Sequence, residues 1–398
     1  MANTLKFGNG EWYGKKDTIL AYNDENNNYK PLPFNFSRAS SATRVNKDGL
    51  IETVGSGEPR VDYKDDSKGA LLLEPTRSNL ITKSENIQDW NRASNATAEF
   101  GYEDPFKGNK AVKLTSSSTA QSYQVYQSTG ALSSGSTYTF SMYAKKGTGH
   151  IFRLDFGIPD NGFVHIDLRD GSLLQESGST YYDGYKVEPM SNGWYRISMV
   201  STFNSSAYYR AGLYQEQGDC YVAFGQIEVG SYATSIIPTQ GGVVTRVAES
   251  CSQTPPSGII GQTEGAMFIE IGEKITPSIA LFECGQGSSQ HRFFVYTDAN
   301  SKLKVLVVNN YSVQVNYTST VNVESNAKIA IGYANNNYAI YLNGSLLATD
   351  TNATVPPMNQ IAIGSDRGAI VTASNQIKET KVYNTRLSNT ELQSLTTI

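Results

Sequence analysis

The sequence predicts an all-β protein in which an N-terminal anchoring segment and a small β collar precede two antiparallel β-sandwiches. Short runs of alternating apolar and polar residues recur at even spacing, and Gly, Asn, Asp and Ser turns separate them. No long helical period or heptad repeat interrupts this pattern. Any oligomer must therefore assemble through its domains or its N-terminal region, because the sequence offers no coiled coil.

Composition narrows the classes of partner. The 398 residues suffice for two or three domains. The formal net charge is −4, only 18% of residues are charged and no basic run occurs, so we expect no nucleic-acid partner. No apolar run approaches the length of a membrane span, so we expect no membrane insertion. Polarity comes instead from neutral residues and 25 tyrosines, which suit sugar binding or subunit contacts, although β proteins favour tyrosine in any case.

The N-terminus and the cysteines bear on cellular location. The first residues show neither the apolar core nor the cleavage site of a signal peptide, so we expect synthesis in a cytoplasm. Three widely spaced cysteines, without a C-x-x-C pair, predict neither a zinc site nor a disulfide framework.

Residues 1–33 have no clean period and hold Phe7, Trp12 and Tyr13 between glycines. Large aromatic side chains in a short Gly-rich terminus cannot form a core alone. Two interpretations stay open: the three side chains dock into a groove on another protein, or they pack on the first domain of their own chain. The three residues are the candidates for an anchor.

Residues 34–75 predict the small β-rich collar. Phe34 and Phe36 alternate with polar residues, and the sequence from Asn46 to Gly49 is a hairpin turn signal. We interpret Arg38 and Arg44 as donors of buried or interfacial ion pairs rather than as catalytic groups.

Residues 76–247 alternate strongly and predict an antiparallel sandwich. Residues 248–261 are polar and contain a Pro-Pro pair, which predicts a linker. Strand-like runs resume over residues 262–398, which predict a second sandwich. Near its end, Ser388 is expected to cap a short terminal helix, with Glu391 at the capping-box position.

Three sequence blocks carry a resemblance. They are LLLEPTRSNLITKSENIQDW at residues 71–90, FNFSRASSATRVNKDGLIE at residues 34–52 and AFGQIEVGSYATSIIPT at residues 223–239. In this order they resemble a junction of bacteriophage tail-fibre and other adhesion proteins. There it opens a jelly-roll domain similar to carbohydrate-binding modules. The FGNG-W sequence near the N-terminus resembles fibre proteins of phages that infect Bacteroidetes, including crAss-like phages, which implies a virion-anchoring peptide.

A second resemblance covers about residues 262–398. The hairpin from residue 328 to residue 344, the QIAIG run at residues 360–364 and the closing NTRLSNTEL at residues 384–392 are similar to laminin-G/concanavalin A-like domains. The resemblance implies a concanavalin A-like fold for the second sandwich. Both sandwich types often carry a structural Ca²⁺ ion, but no D-x-D-x-D-G string locates one here. No other cofactor is expected.

The sequence shows no catalytic set. Glycoside hydrolysis needs two carboxylates on either side of the scissile bond. The closest pair, Glu270 and Glu273, has an odd spacing that directs the side chains to opposite faces of a straight strand. Asp155 and Asp167 are interpreted as solvated strand residues. Three scattered histidines form no metal or triad motif.

Sugar binding needs exposed aromatic platforms beside polar groups. The candidates are Trp90, the pair Tyr181 and Tyr182, and the pair Tyr208 and Tyr209. Each Tyr-Tyr pair on a strand directs one ring to each face, so one of each pair is expected to be exposed. The alternative for each is a place in the core or in a subunit interface.

The resemblances imply a virion surface fibre, on the head or the tail, that attaches to other virion proteins through its N-terminus and binds a host cell-surface glycan. Two alternatives are a structural capsid decoration protein and a glycan depolymerase. Weak sugar sites gain from avidity, so we expect a homo-oligomer, a trimer first and a dimer second. Its subunit contact is expected among the tyrosines between residues 120 and 230 and its host-facing part at residues 262–398.

Overall fold

The computed structural model describes residues 4–23, 30–120, 122–128, 132–157, 162–202, 208–276, 278–368 and 373–398. The chain divides into two compact units. Unit 1 comprises residues 1–48, 53–76 and 247–398, and unit 2 comprises residues 49–52 and 77–246. Unit 2 is therefore inserted into the sequence of unit 1, and each unit is described by itself.

Unit 2 is a sandwich of two antiparallel six-stranded sheets. Its strands are β9 (Arg77–Asn79), β10 (Asn91–Arg92), β11 (Ala96–Tyr102), β12 (Ala111–Ser116), β13 (Val125–Ser128), β14 (Thr137–Lys146), β15 (Ile151–Gly157), β16 (Phe163–Asp167), β17 (Leu173–Glu176), β18 (Tyr182–Pro189), β19 (Trp194–Thr202), β20 (Tyr208–Leu213), β21 (Gly218–Val229) and β22 (Val244–Arg246). The front sheet has the order β10-β13-β20-β15-β16-β17 and the back sheet the order β11-β12-β21-β14-β19-β18. The inward residues of both sheets, such as Phe140, Phe152 and Leu154, fill one core.

Unit 1 joins both ends of the chain in one hydrogen-bonded set of strands around a large core, with a smaller core beside it. Before residue 76 the strands are β1 (Leu5–Gly8), β2 (Gly14–Lys15), β3 (Thr18–Asn23), β4 (Lys30–Ser37), β5 (Ala42–Val45), β6 (Ile51–Val54), β7 (Val61–Asp62) and β8 (Ala70–Leu73). Of these, β5 and β6 form a separate two-stranded sheet. After residue 247 they are β23 (Ser250–Gln253), β24 (Glu264–Ile275), β25 (Ala280–Gly285), β26 (His291–Thr297), β27 (Lys302–Asn309), β28 (Ser312–Asn322), β29 (Lys328–Ala334), β30 (Tyr338–Leu342), β31 (Ser345–Asp350), β32 (Gln360–Ile363) and β33 (Asn375–Tyr383). Strand β24 lies between β29 and β33, and β25 lies between β26 and β32.

The only helix of more than one turn among the described residues is α1 (Asn389–Thr396). Ser388 and Glu391 form the predicted capping box, and Leu392 packs the helix on Ala330 and Ala339 of β29 and β30. Within the described part of the chain, no helix has the length and apolar character needed to cross a membrane. The antiparallel sheets confirm the predicted all-β fold class.

The N-terminal segment differs from the prediction. Residues 1–33 were expected to form a separate anchoring segment and residues 34–75 a separate collar. Instead β1 pairs with β33, where Leu5 lies opposite Val382, and β3 pairs with β4. Phe7 is fully buried in the core of unit 1. The reason is that Leu5 and Phe7 complete an alternating apolar strand whose partner lies at the far end of the chain.

The predicted linker at residues 248–261 also differs. It contains β23, which pairs with β4 and β32, and Cys251 is fully buried in the core of unit 1. The Pro-Pro pair marks only the end of this strand. The sequence SCSQ alternates buried and half-buried residues, a short strand pattern that the polar composition concealed.

A buried ion cluster holds the first strands of unit 1 to β23. Arg38 Nη1 lies 3.2 Å from Glu249 Oε1, Arg60 Nε donates to the same oxygen at 2.7 Å, and Arg60 Nη1 donates to Glu74 at 2.8 Å. All four side chains are inaccessible to solvent. The prediction that Arg38 is a buried ion-pair donor is confirmed, whereas Arg44 is only half-buried and its Nη1 reaches the carbonyl of Pro59 at 3.5 Å.

Candidate functional site

The candidate site lies on the outward side of the front sheet, which we call the front face. Residues along β15 alternate: Phe152, Leu154 and Phe156 enter the core, whereas Arg153 and Asp155 lie on the front face. The register places Asp155 opposite Arg210 of β20 on one side and opposite Phe163 of β16 on the other. Neighbouring strands therefore bring a charged group between aromatic rows.

Two aromatic rows line this face. In one row, His165 stacks on Phe163 with ring centroids 4.8 Å apart and on Tyr214 at 3.9 Å. In the other, Tyr126 makes edge contacts with Tyr123 at 5.7 Å and with Tyr208 at 5.8 Å. Such rows offer flat apolar surfaces with polar edges, which is the surface that a sugar ring needs.

A charged bridge connects the two rows. Arg153 Nε and Arg210 Nε each lie 2.5 Å from a different oxygen of Asp155. The Asp155 side chain is 1% exposed, and the two arginine side chains are 15% and 17% exposed. Burial raises the pKa of Asp155, and both guanidinium groups oppose that shift. The guanidinium groups thus reach the surface while their counter-charge stays below it.

Cation–π contacts fix both guanidinium groups. Arg153 lies 4.8 Å from the ring centroid of Phe163 and 5.5 Å from that of Tyr214, and Arg210 lies 4.8 Å from that of Tyr123. The same surroundings act on His165, which is 2% exposed. Burial, with the positive charge of Arg153, lowers the pKa of His165 to about 4, so this imidazole is neutral at pH 7.

Beside the bridge opens a cleft of about 690 Å³, a size in the range of ligand sites. Its lining includes Gly157, Phe163, Ser177, Ser179 and Tyr181. Arg153 and Arg210 also line it. The cleft therefore combines aromatic faces, hydroxyl groups and two positive charges.

The structure leaves some of the predicted sugar-binding residues accessible and buries others. Tyr181 lines the cleft, and Tyr208, which is 44% exposed, ends one aromatic row. Tyr182 is half-buried and donates a hydrogen bond to Glu176. Trp90 differs from the expectation of an exposed ring, because it is 2% exposed, and Tyr209 is the buried member of its pair at 5% exposure. Both rings lie in the core of unit 2 and pack edge to face at 5.0 Å. Their rings cannot be reached by a sugar, because both point between the sheets.

The three predicted anchor residues also differ in exposure. Phe7 is buried and packs against Phe34 at 5.2 Å and Trp12 at 5.5 Å. Trp12 packs partly on the core, and its indole N–H donates to the carbonyl of Lys68 at 2.9 Å. Only Tyr13 remains open, at 69% exposure.

Sequence reasoning missed the central residues of the cleft. Arg153 was not singled out, and Asp155 was expected to be solvated although it is fully buried. A signal was present: a charged residue two positions from Arg153, within the strictly alternating FRLDF run, belongs to the same face. What the sequence does not give is the register that sets Arg210 opposite Asp155.

Unit 1 also carries charged side chains that bear on catalysis or metal binding. Glu270 is half-buried, and burial raises its pKa, while Glu273 is exposed and bonds Asn326. Near β25, Glu283 is buried and lies 3.2 Å from Arg292, which also contacts Asp366 at 2.8 Å. Burial raises the pKa of Glu283 to about 7. Among the described residues, no group of three or more His, Cys, Asp or Glu side chains is arranged to hold a metal ion.

Two segments match known protein families. Residues 79–163 match a carbohydrate-binding domain family. Residues 266–393 match the concanavalin A-like lectin/glucanases superfamily. The first match includes β15 and the start of β16, hence part of the cleft. The carbohydrate-binding and concanavalin A-like character expected for the two sandwiches is thus supported, and these domain types suggest glycan binding. Among curated protein sequences, none matches this chain significantly.

Solved structures give only distant similarity. The chain is similar to the CBM40 domain of a Ruminococcus gnavus IT-sialidase bound to α2,3-sialyllactose (20% identity, TM-score 0.31), over 35% of this chain and 84% of that one. It is similar to domain 4 of AbnA, an arabinanase of Geobacillus stearothermophilus (13% identity, TM-score 0.30), over 42% and 83%. A SAP-like pentraxin of Limulus polyphemus shows 15% identity and a TM-score of 0.26, over 33% and 68%.

Proposed function

We propose that this chain is a non-catalytic glycan-binding protein and that the cleft on the front face of unit 2 holds the glycan. The observation that supports this most directly is the lining of the cleft: two arginines, the rings of Phe163 and Tyr181 and several serine and threonine hydroxyl groups surround about 690 Å³. Aromatic faces pack on the C–H face of a sugar, and the polar groups bond its hydroxyls. The family match over residues 79–163 supports the same function.

Binding to an oligosaccharide array tests the proposal. The full-length protein should bind glycans, and Tyr181→Ala should weaken that binding roughly five- to thirtyfold, as expected for about 1–2 kcal/mol from a buried aromatic contact. The matched control is Phe100→Ala, because Phe100 is an aromatic residue of the same unit, 51% exposed, on β11 of the back sheet. Equal loss in both variants, or binding by neither the variants nor the wild type, would reject the cleft as a glycan site.

The setting that we propose is a bacteriophage head or tail fibre, exposed on the virion as a homo-oligomer that binds the host surface. The support is the sequence resemblance over residues 34–90 and 223–239. Immunogold labelling of virions with an antibody against this chain tests it, since label on fibres is expected. Light scattering should give the mass of a trimer or, as the second choice, of a dimer. A monomer would contradict this setting, because a fibre depends on the avidity of several sites.

We propose that attachment to other virion proteins uses the exposed part of the N-terminal region. Phe7 is unavailable, but Tyr13 borders a concavity of about 450 Å³ together with Trp12 and Tyr22. Tyr13→Ala should lower incorporation into virions without changing glycan binding. Normal incorporation of this variant would move the attachment point elsewhere.

A further inference from the structure

We infer that the glycan bound in the front-face cleft carries a carboxylate, as uronic and nonulosonic acids do, and that Arg153 and Arg210 hold that group. The inference rests on the proposed function, because it names the chemistry of the ligand for the same cleft. It is carried by charge, by the unused hydrogen-bonding capacity of the two arginines and by the way in which their guanidinium groups are fixed.

The described lining of the cleft carries positive charge. Its described lining residues include Arg153 and Arg210 and no acidic side chain. Asp155 lies beneath, 1% exposed, and neutralises one of the two positive charges. A neutral sugar would leave the second charge without a partner in a half-enclosed cleft. An anionic sugar supplies that partner, which makes the exchange of water for ligand more favourable.

The two guanidinium groups keep donors available for a ligand. Each uses Nε for Asp155. Within the described part of the chain, the terminal nitrogens of Arg153 and Arg210 make no hydrogen bond, and neither arginine has a buried donor that lacks a partner. Guanidinium N–H groups form a planar fork that matches the two oxygens of a carboxylate. These terminal donors are therefore the groups that would bind the acid.

The two guanidinium groups are held in place without a ligand. Arg153 rests on Phe163 and Tyr214, and Arg210 rests on Tyr123. Arg210 also lies across Gly157, where an added Cβ would stand 2.2 Å from Cζ of the guanidinium group. A side chain at position 157 would force this group to move. Preorganised donors lose less entropy on binding, so the arrangement favours recognition of one group in one place.

An array with matched pairs tests the inference on the unmodified, full-length protein. Oligogalacturonates, hyaluronan fragments and 3′-sialyllactose are printed beside their carboxyl methyl esters, which retain the same sugars without the charge. We expect at least one acid to bind about tenfold or more tightly than its ester, with a preference that weakens as salt is raised. The uronate and sialate arms separate the two sources of carboxylate.

Two variants assign the preference to the arginines. Arg210→Gln should reduce the acid-to-ester ratio to near one, and Gly157→Ala should lower the ratio by displacing an intact Arg210. Phe100→Ala is the control. Wild-type binding of acid and ester with equal affinity, or a ratio that both cleft variants leave unchanged, would overturn the inference and leave the proposed function intact. If the wild-type protein binds no glycan on the array, the proposed function itself is overturned.

Discussion

The buried ion cluster of unit 1 allows a quantitative prediction for Glu249→Gln. Oxygen Oε1 of Glu249 receives Arg38 and Arg60, and Oε2 receives the backbone N–H of Glu74 at 2.8 Å. The four charges cancel in the wild type. The glutamine leaves a net charge of +1 inside unit 1 and turns one amide N–H₂ toward another donor. Breaking a fully buried ion pair costs about 3–5 kcal/mol, so we expect the unfolding free energy of unit 1 to fall by that amount.

Hydrogen exchange in a urea series measures this in the full-length chain, because peptides from β8 and β23 report on unit 1 and peptides from β14 on unit 2. Protection in unit 1 should fall and protection in unit 2 should not change. The control is Glu11→Gln, which removes an exposed pair with Lys6 in the same unit and should cost no more than about 1 kcal/mol. A loss for Glu249→Gln no larger than that of the control would refute the reasoning.

Three further predictions concern stability. The pKa of His165 is lowered from its ordinary 6.5 to about 4, so the unfolded state of unit 2 binds more protons than the folded state between these pH values. The unfolding free energy of unit 2 should therefore fall as pH decreases from 6.5 to 4, by up to about 1.4 kcal/mol per pH unit. Urea titrations of His165→Gln should show a flatter dependence on pH. Glu283, whose pKa is raised from 4.5 to about 7, has the opposite sign: stability of unit 1 should fall as pH rises from 4.5 to 7, and an unchanged profile in Glu283→Gln would contradict this assignment. Deleting residues 1–33 removes β1 and β3 with the buried Phe7, so circular dichroism and proteolysis should show unit 1 unfolded and unit 2 intact; a protease-resistant unit 1 would show that these strands are dispensable.

Local pattern was enough to predict the sheets but not their partners. The alternation in FRLDF identifies a strand with two distinct faces, and the capping box at Ser388 is complete within four residues. The site depends on longer-range facts. Asp155 meets Arg210 only through the register of β15 and β20, and no local signal indicates which ring of Tyr208 and Tyr209 faces outward. Strand Leu5–Gly8 was misassigned for the same reason, since its partner Asn375–Tyr383 lies at the other end of the chain.

The insertion of unit 2 into unit 1 determines the order in which the two units can fold during synthesis. Thr4 bonds the carbonyl of Val382, 378 residues later, so at about 5–20 residues per second a ribosome needs roughly 20–75 seconds to deliver the partner of the first strand. Unit 2 is complete once residue 246 has emerged, and the pairing of Arg77 with Arg246 closes it. During the remaining translation, β1 lacks its partner β33 and β4 lacks its partner β23, so both present unpaired edges, which are sites for association between nascent chains. Neighbouring ribosomes on one message would therefore hold several unfinished copies side by side, each with an open sheet, before any of them can close.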